Sequence, residues 1–274
     1  MIVSIITPSF NQGQYLSETI NSVRKNKSHN VEYIIMDGGS TDSSVSIIKE
    51  NLDIIDYWES ETDKGQSHAI NKGMKRAKGD ILCWLNSDDI LLPGAIDLVI
   101  KTFSANSKLD IVSGYLLLID ENSKVLSVPH VLTGSKDAQK AGYVIINQQA
   151  TFFKRSIIEK VDFLDENLHC AMDVDLWCKF YLQNANWKHI DKFLAGFRKH
   201  NSSKGSKNEW WDLYQNEKRI VYSKYTNIRA NTKLERFYFK YKFFLPQTFR
   251  KLRTLFANFK YKGKKISEIL NFIN

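Results

Sequence analysis

The chain has 274 residues, of which 43% are hydrophobic and 25% are charged, a composition typical of globular proteins and unlike that of disordered ones. Its formal net charge of +9 indicates an acidic ligand or surface as a partner. Three widely spaced cysteines with no C-x-x-C pair argue against a disulfide framework or a structural zinc site. Neither a signal peptide nor a membrane-spanning apolar stretch is evident, so we expect a cytoplasmic protein.

The first 110 residues alternate between short apolar strands and helices with one apolar face, a rhythm that predicts a doubly wound, mostly parallel α/β sheet. The predicted strands are Ile2–Ile6, Val31–Met36, Ile54–Trp58 and Asp80–Leu85. The predicted helices are Gln14–Lys25, a segment that contains Val45, Ile47 and Ile48, Gln66–Lys78 and Pro93–Phe103.

After Asp110 the alternation of strands and helices stops, and the sequence predicts a small antiparallel part of the sheet. The pattern predicts a hairpin of Ile111–Ile119 with Lys124–Pro129, an extended segment Asn147–Phe153, a helix Asp173–Leu182 and a strand Trp187–Arg198. From Asn208 onward the pattern is helical. We therefore expect one α/β domain over residues 1–205 and a helical extension over residues 206–274.

Acidic side chains follow three of the four predicted strands, at Asp37, Asp63 and the pair Asp88-Asp89. Ligands of open α/β sheets lie beyond the carboxyl ends of the strands. Two adjacent carboxylates repel each other unless a cation or hydrogen-bond donors lie nearby, and Mg²⁺ or Mn²⁺ prefers such oxygen ligands. Each acid alone also suits a turn or a helix cap, but their convergence favours a metal-bound phosphate ligand.

Motifs of several competing enzyme classes are absent from the sequence. No G-x-G-x-x-G follows the first strand, and no P-loop, G-x-S-x-G elbow or H-E-x-x-H is present. These absences argue against a dinucleotide cofactor, a P-loop nucleotide site, a serine hydrolase and a zinc protease.

Six segments in order along residues 1–200 closely resemble the family 2 glycosyltransferases of the GT-A fold, and among them bacterial enzymes of cell-surface polysaccharide synthesis. The segments are Ile6–Asn11, Asp37–Asp42, Ser60–Ser67 with Asn71-Lys72-Gly73, Trp84–Asp89, Asn147–Phe153 and Met172–Trp177. The resemblance implies an inverting transfer of a sugar from a nucleoside diphosphate-sugar to a hydroxyl of a growing glycan or a polyprenyl-diphosphate-linked acceptor.

The resemblance also implies residue roles. Asp173 would be the general base, and Asp88, Asp89 and His200 would bind a divalent cation, Mn²⁺ or Mg²⁺. Gln148, Gln149 and Trp177 would lie on the acceptor side. The nucleotide-sugar would contact Thr7, Pro8, Asn11, Asp37, Gly38, Glu61, Asp63, Lys64, Asn71 and Asp88.

Two positions depart from the family pattern. Asn86 replaces the first acid of the common Asp-x-Asp-Asp motif, which leaves open whether Asp88 or Asp89 is the main metal ligand. Met172 replaces the acid before the base, which should raise the pKa of Asp173 less than a negative neighbour would. Asp175 follows two residues later and projects about 200° away on a helix, so only one of Asp173 and Asp175 can face the site.

Ordinary structural roles remain open for several of these residues. Asp173 suits a helix cap, His200 a polar surface loop and Gln148-Gln149 a strand end. Trp177 and Trp84 suit the core better than a sugar-stacking surface.

Residues 227–266 contain twelve Lys or Arg, a single Glu and many aromatic residues. Basic and aromatic residues on amphipathic helices suit an anionic membrane, and we expect a peripheral association with the inner face of the cell membrane. The alternative is packing on the catalytic domain or on a second copy in a homodimer. Nothing resembles a nucleic-acid-binding module.

Two other functions compete with transfer. A binding or scaffold protein of this fold would keep the nucleotide site without turnover. A nucleotidyltransferase would need cations directly after the first strand, and Thr7–Gln14 has none. The default donor is a UDP-hexose or a UDP-N-acetylhexosamine, because Asp37 suits a contact with uracil, and thymidine or guanosine diphosphate-sugars are the alternatives.

Overall fold

A computed structural model of the chain describes residues 1–129, 146–201, 208–225, 232–234, 237–238, 252 and 254–273. Much of the basic segment 227–266 therefore lies outside the described residues.

The described strands form one sheet in the order β3-β2-β1-β4-β8-β6-β9-β5, with β7 paired to β6. The strands β1 to β4 are mutually parallel, and the later strands add antiparallel pairs on the far side of β4. The strands are β1 Val3–Ser9, β2 Val31–Asp37, β3 Tyr57–Ser60, β4 Ile81–Trp84, β5 Ile90–Leu91, β6 Ile111–Ile119, β7 Val125–Ser127, β8 Thr151–Lys154 and β9 Trp187–Arg198.

The helices cover the two faces of the sheet. They are α1 Gly13–Arg24, α2 Ser44–Lys49, α3 Gln66–Arg76, α4 Ala95–Ala105, α5 Arg155–Lys160, α6 Met172–Leu182, α7 Asn208–Lys224 and α8 Ile266–Ile273, and residues 254–261 are also helical. The predicted α/β fold with a parallel first half and an antiparallel addition is confirmed.

Several element bounds differ from the sequence prediction. The strand predicted from Ile54 begins at Tyr57, because Ile54 and Ile55 lie in the turn after α2 and pack into the core there. The extended segment predicted from Asn147 begins with a 3₁₀ turn at Gln148–Ala150 before β8. The short elements β5 and α5 were not predicted.

The end of the chain packs against the sheet. Ala257, Tyr261 and Ile269 are buried against β5, β6 and β7 in one apolar cluster. The backbone N–H of Val125 donates to the carbonyl of Lys264 at 2.9 Å. The division at residue 205 remains a prediction, and the described end of the extension shares a core with the α/β part. Among the described helices, none is both long enough and apolar enough to cross a bilayer.

Candidate active site

The carboxyl ends of the first four strands meet at one edge of the sheet. In the parallel register Ser9 lies beside Asp37, and Asp37 lies beside Ser60. The N–H of Leu85 donates to the carbonyl of Ile6 at 2.8 Å, so β4 ends next to β1. The structure thus brings the four predicted acidic or polar loops to the same edge.

Asp37 is buried and accepts hydrogen bonds from its own turn. Its carboxylate accepts from the N–H of Ser40 at 2.8 Å and from the hydroxyls of Ser40 and Ser60 at 2.6 and 2.7 Å. Asn11 ties this turn to the first loop, since its side-chain oxygen accepts the N–H of Thr41 at 2.9 Å. Asn11 has a φ of 50°, a left-handed conformation that asparagine tolerates better than most residues. Asp37 therefore shapes the edge loops.

Gly38 permits a close approach between two of the loops. A Cβ atom at this position would lie 2.7 Å from Asp63 Oδ2 and 3.4 Å from the ring of Phe10. Asp63 is fixed by the N–H of Gly65, which donates to Oδ1 at 2.7 Å. Phe10 is 60% exposed although it is a large apolar residue. An exposed ring beside a carboxylate offers a surface on which a planar nucleobase could stack.

The remaining predicted donor residues are placed differently. Thr7 and Pro8 are buried within β1, and the hydroxyl of Thr7 lies 3.2 Å from that of Tyr33. Glu61 and Lys64 are exposed, and Glu61 lies 3.8 Å from Lys72 Nζ.

Asn71 has a structural role. Its side chain is 3% exposed, donates to the carbonyl of Leu164 at 3.0 Å and accepts the N–H of Leu164 at 3.0 Å. It also donates to Glu166 at 2.9 Å. We therefore withdraw Asn71 from the predicted donor contacts, because its amide is used to join α3 to the loop before α6.

Asp88 and His200 form a pair at the end of β4. His200 Nε2 lies 3.0 Å from Asp88 Oδ2, and the His200 ring packs on Tyr15 with a centroid separation of 4.5 Å. His200 is thus a buried residue next to the acidic loop rather than a surface residue. No cluster of three or more His, Cys, Asp or Glu side chains suited to a metal occurs within the described ranges. A cation held by these two residues would take its other ligands from phosphate oxygens and water.

Asp89 points into the protein. It is fully buried, and its carboxylate accepts the backbone N–H of Arg198 at 2.9 Å and the amide of Asn86 at 3.1 Å. Burial and the neighbouring charge of Asp88 raise the pKa of Asp89 well above its ordinary value, against hydrogen bonds that include one from Gln149. We therefore revise the predicted ligand set to Asp88 and His200, because Asp89 is committed to holding the loop.

Arg198 is a residue of this site that the sequence did not single out. It is fully buried, and its Nε donates to the carbonyl of Asp88 at 2.8 Å. Its other guanidinium nitrogens donate to Glu18, at 2.6 Å, and to the β6–β7 turn. Arg198 thus fixes the backbone of the acidic loop from β9. The only signal in the sequence is its position two residues before His200.

Gln148 and Trp177 are buried residues that contact Trp84 at the end of β4. The Gln148 amide donates to the carbonyl of Trp84 at 2.5 Å, at the end of β4. Trp177 is 1% exposed and stacks on Trp84 with centroids 6.2 Å apart. The acceptor-side prediction for Trp177 is withdrawn, because an acceptor cannot reach a ring in the core. Gln149 is partly exposed beside Asp89, and its acceptor-side role stays a prediction.

Asp173 lies in the first turn of α6 and is partly exposed. Burial raises its pKa to about 6, while hydrogen bonds from backbone N–H groups and the positive charge of Lys218 act in the opposite direction. Asp175 is fully buried instead and accepts the hydroxyl of Tyr225 at 2.8 Å. The two acids therefore face different environments, and Asp173 is the one available to a substrate.

An α/β sheet with acidic loops at the carboxyl edge of β1 to β4 and a separate acid on a later helix has its candidate ligand site where α/β enzymes, those of the GT-A type among them, bind their ligands. More than half of the chain, residues 4–161, matches the family described as Glycosyl transferase family 2. The chain belongs to glycosyl transferase family 2.

Relatives in sequence share this family. An uncharacterised glycosyltransferase of Rickettsia bellii is 30% identical over 215 residues, which cover 75% of this chain and 31% of that protein. An uncharacterised glycosyltransferase of Mycobacterium tuberculosis is 31% identical over 173 residues, 62% of this chain and 65% of that protein. The chain therefore spans less than two thirds of the length of these relatives.

Two solved structures share the fold. S. aureus TarS 1–349, in complex with UDP-GlcNAc, superposes with a TM-score of 0.62 at 16% identity over 83% of this chain and 72% of that one. The mannosyltransferase PcManGT of Pyrobaculum calidifontis, in complex with GDP-Man and Mn²⁺, gives 0.62 at 13% identity over 93% and 73%. At such identities these likenesses establish the GT-A fold.

Proposed function

We propose that this protein is an inverting glycosyltransferase that moves a sugar from a nucleoside diphosphate-sugar to a hydroxyl of a surface glycan or a lipid-linked oligosaccharide. The observation that supports the proposal is that the Asp88–His200 pair and the Asp37 and Asp63 loops lie at the same edge of the sheet, while Asp173 is partly exposed on α6. TarS and PcManGT, which share the fold, were solved with UDP-GlcNAc and with GDP-Man, which supports this donor class.

The donor would lie over the carboxyl edge of β1 to β4. The nucleobase would stack on Phe10 near Asp37, and backbone groups of Thr7, Pro8 and Gly38 would face the nucleoside. Asn11, Glu61, Asp63 and Lys64 would border it. A UDP-hexose or a UDP-N-acetylhexosamine is the donor that we propose.

Asp88 and His200 would hold Mn²⁺ or Mg²⁺. One carboxylate oxygen and one imidazole nitrogen, 3.0 Å apart, are ligand atoms that suit Mn²⁺. Asp88 is partly exposed, so that a cation can reach its carboxylate. When bound, the cation would neutralise charge on the diphosphate leaving group. Arg198 and Asp89 keep the loop that presents Asp88 in place.

Asp173 would act as the general base. The acceptor hydroxyl oxygen attacks the anomeric carbon of the donor, and its proton passes to the Asp173 carboxylate. The bond from the anomeric carbon to the diphosphate oxygen breaks, so the nucleoside diphosphate leaves with the bonding electrons and the anomeric configuration inverts. With a pKa of about 6, Asp173 is ionised at neutral pH yet basic enough to accept a proton.

A thermal-shift screen of nucleotide-sugars with and without Mn²⁺ tests this proposal. We expect one donor to raise the melting temperature in the presence of Mn²⁺ and to do so less in its absence, because a ligand present at 100 times its Kd stabilises the folded state by about 2.7 kcal/mol. Binding without turnover would favour the scaffold function. No shift with any nucleotide-sugar would contradict both.

We also propose that the end of the chain contacts anionic membrane lipid. Four exposed apolar side chains form one face of the helical region, and Phe259 among them is 92% exposed. The spacing of these four residues places them on one side of a helix, opposite the buried Ala257 and Tyr261. They are Leu252, Leu255, Phe256 and Phe259.

Exposed Lys262, Lys264 and Lys265 follow this face directly. Apolar side chains next to lysines suit the interface of an anionic bilayer, at about 1 kcal/mol for each cation near the surface. Such a contact would bring the site to a polyprenyl-diphosphate acceptor at the inner face of the membrane.

Substitution tests this contact better than deletion, because residues 257–269 also belong to an apolar cluster of the fold. Phe256→Ser with Phe259→Ser should abolish co-sedimentation with vesicles containing phosphatidylglycerol. Leu52→Ser, at an exposed apolar residue after α2, is the matched control and should co-sediment like the wild type. Unchanged sedimentation of the double variant would remove this face from the proposal.

A further inference from the structure

The helix α7 lies in the predicted extension, yet it carries a buried acid that contacts the approach to α6. Glu217 is 5% exposed, and its Oε1 accepts the N–H of His169 at 2.9 Å. Its Oε2 accepts the N–H groups of Cys170 and Ala171 at 2.8 Å each. One carboxylate thus binds three consecutive backbone donors.

These donors stand immediately before the helix that carries Asp173. Ala171 is the N-cap residue of α6, and its methyl side chain offers no acceptor for the N–H groups of the helix start. Preferred N-cap residues supply an acceptor of their own. Glu217, on another helix, instead accepts the N–H of this N-cap residue and of the two residues before it, and a charged acceptor forms stronger hydrogen bonds than a neutral one.

A further hydrogen bond, from α3, fixes the same segment. The hydroxyl of Ser67, on α3, donates to the carbonyl of Leu168 at 2.8 Å. Leu168 and Ala171 are both buried. The segment 168–171 is therefore held between α7 and α3, and α3 begins at the sheet edge where the sugar donor is proposed to bind.

Neighbours of Glu217 on α7 lie close enough to Asp173 to interact with it electrostatically. Tyr214 and Lys218 lie three residues before and one residue after Glu217, and Lys218 Nζ lies 5.4 Å from the Tyr214 ring centroid. Burial and then the negative charge of Asp173 raise the pKa of Tyr214, and the charge of Lys218 lowers that of Asp173. The face of α7 that carries Glu217 therefore borders the candidate base.

We infer that Glu217 is a positioning residue for the transfer reaction: its carboxylate fixes the start of α6 so that Asp173 is presented to the acceptor hydroxyl. This inference rests on the proposed role of Asp173. It also makes α7 part of the catalytic unit, so that residues 1–205 alone would lack the support of the base.

Glu217→Gln tests the inference in the full chain. The amide keeps the shape of the side chain but replaces one accepting oxygen with an NH₂ group, which cannot accept from backbone N–H groups. The probe is release of nucleoside diphosphate from the donor that the thermal-shift screen selects among UDP-GlcNAc, UDP-glucose and GDP-mannose, with Mn²⁺ present. Glu209→Gln, at an exposed acid on the same helix, is the matched control.

We expect kcat, corrected for the folded fraction, to fall about 100-fold, since a displacement of about 1 Å of a catalytic group has this effect. The Kd of the sugar donor should stay within about twofold of the wild-type value, because the substitution leaves the loops at the carboxyl edge of β1 to β4 unchanged. A lower melting temperature with an unchanged kcat, or equal losses of kcat and donor affinity, would reduce Glu217 to a purely structural residue. If Glu217→Gln does not fold, Glu217→Asp, which keeps the charge on a shorter side chain, is judged by the same criteria.

A double-mutant cycle separates this inference from the proposed function. If Glu217 acts through Asp173, then Glu217→Gln adds no further loss to Asp173→Asn. If Asp173→Asn is inactive and Glu217→Gln is fully active, the positioning role fails and the base assignment stands. If Asp173→Asn transfers normally, the base assignment fails, and any loss in Glu217→Gln then has another cause.

Discussion

Asp173→Asn is the substitution whose consequences follow most directly from the structure. The folded protein holds the Asp173 proton up to pH about 6, whereas the unfolded chain releases it near the ordinary pKa of 3.8. The stabilisation from this proton is complete below pH 3.8 and is lost as the pH rises through 6. The shift corresponds to about 3 kcal/mol, and partial exposure of the side chain makes this an upper value.

The asparagine side chain does not titrate, so the variant does not lose this stabilisation as the pH rises. Its free energy of unfolding relative to wild type should rise by up to about 3 kcal/mol between about pH 4 and about pH 7. Its rate of sugar transfer should fall about 10²- to 10⁴-fold, because the acceptor proton then has no base to receive it. The wild-type rate should increase with pH up to about 6 and level off above, as the carboxylate forms.

Two measurements check these expectations. Urea denaturation of both proteins at several pH values gives the difference in the free energy of unfolding, and nucleoside diphosphate release gives the pH–rate profile. A variant with a near-normal transfer rate would refute the role of Asp173 as base. A difference in stability that does not change with pH would refute the pKa on which the magnitude depends.

Three other substitutions separate donor binding from structure. Asp89→Asn should lower the free energy of unfolding by about 1–3 kcal/mol in urea, because the amide keeps a single accepting oxygen for two donors, the N–H of Arg198 and the amide of Asn86. Asp88→Asn should melt like wild type but lose the Mn²⁺-dependent thermal shift. Equal stability of the two variants would contradict the division of roles in this loop. Asn71→Ala should lower the free energy of unfolding by about 1–3 kcal/mol in the same denaturation assay, because the backbone groups of Leu164 lose their partner. The donor Kd, measured by calorimetry, should stay unchanged. A large loss of donor affinity without a loss of stability would return Asn71 to the predicted donor contacts.

The parallel half of the fold could be predicted from the sequence because three of its four strands, β1, β2 and β4, are short runs buried at all or nearly all positions, whereas the half-buried β3 was predicted three residues too early. Val3–Ser9 and Ile81–Trp84 are buried at every position, and such runs stand out between amphipathic helices. The two-residue strand β5 could not be predicted, because Ile90-Leu91 becomes a strand only by pairing with Gly196 and Ala195, more than 100 residues away in sequence.

The site was predictable only in part, for a similar reason. Position at a strand end indicates Asp37, Asp63 and Asp88, but the direction in which a carboxylate points depends on distant partners. Asp89 turns inward because Arg198 approaches from β9, and Asn71 is used by the loop at Leu164. Glu217 carries no local signal, since its three partners lie in another element.

The configuration of the sugar released by hydrolysis, in which water attacks the anomeric carbon in place of the acceptor hydroxyl, tests the central claim most directly. The full chain would be incubated with UDP-GlcNAc, an α-linked donor, and Mn²⁺, with the other donors of the screen in parallel, and the first product followed by ¹H NMR before mutarotation. We predict that the sugar first released has the inverted, β configuration and that the Asp173→Asn protein releases none at a comparable rate. Release of the α anomer would contradict the proposal of an inverting glycosyltransferase.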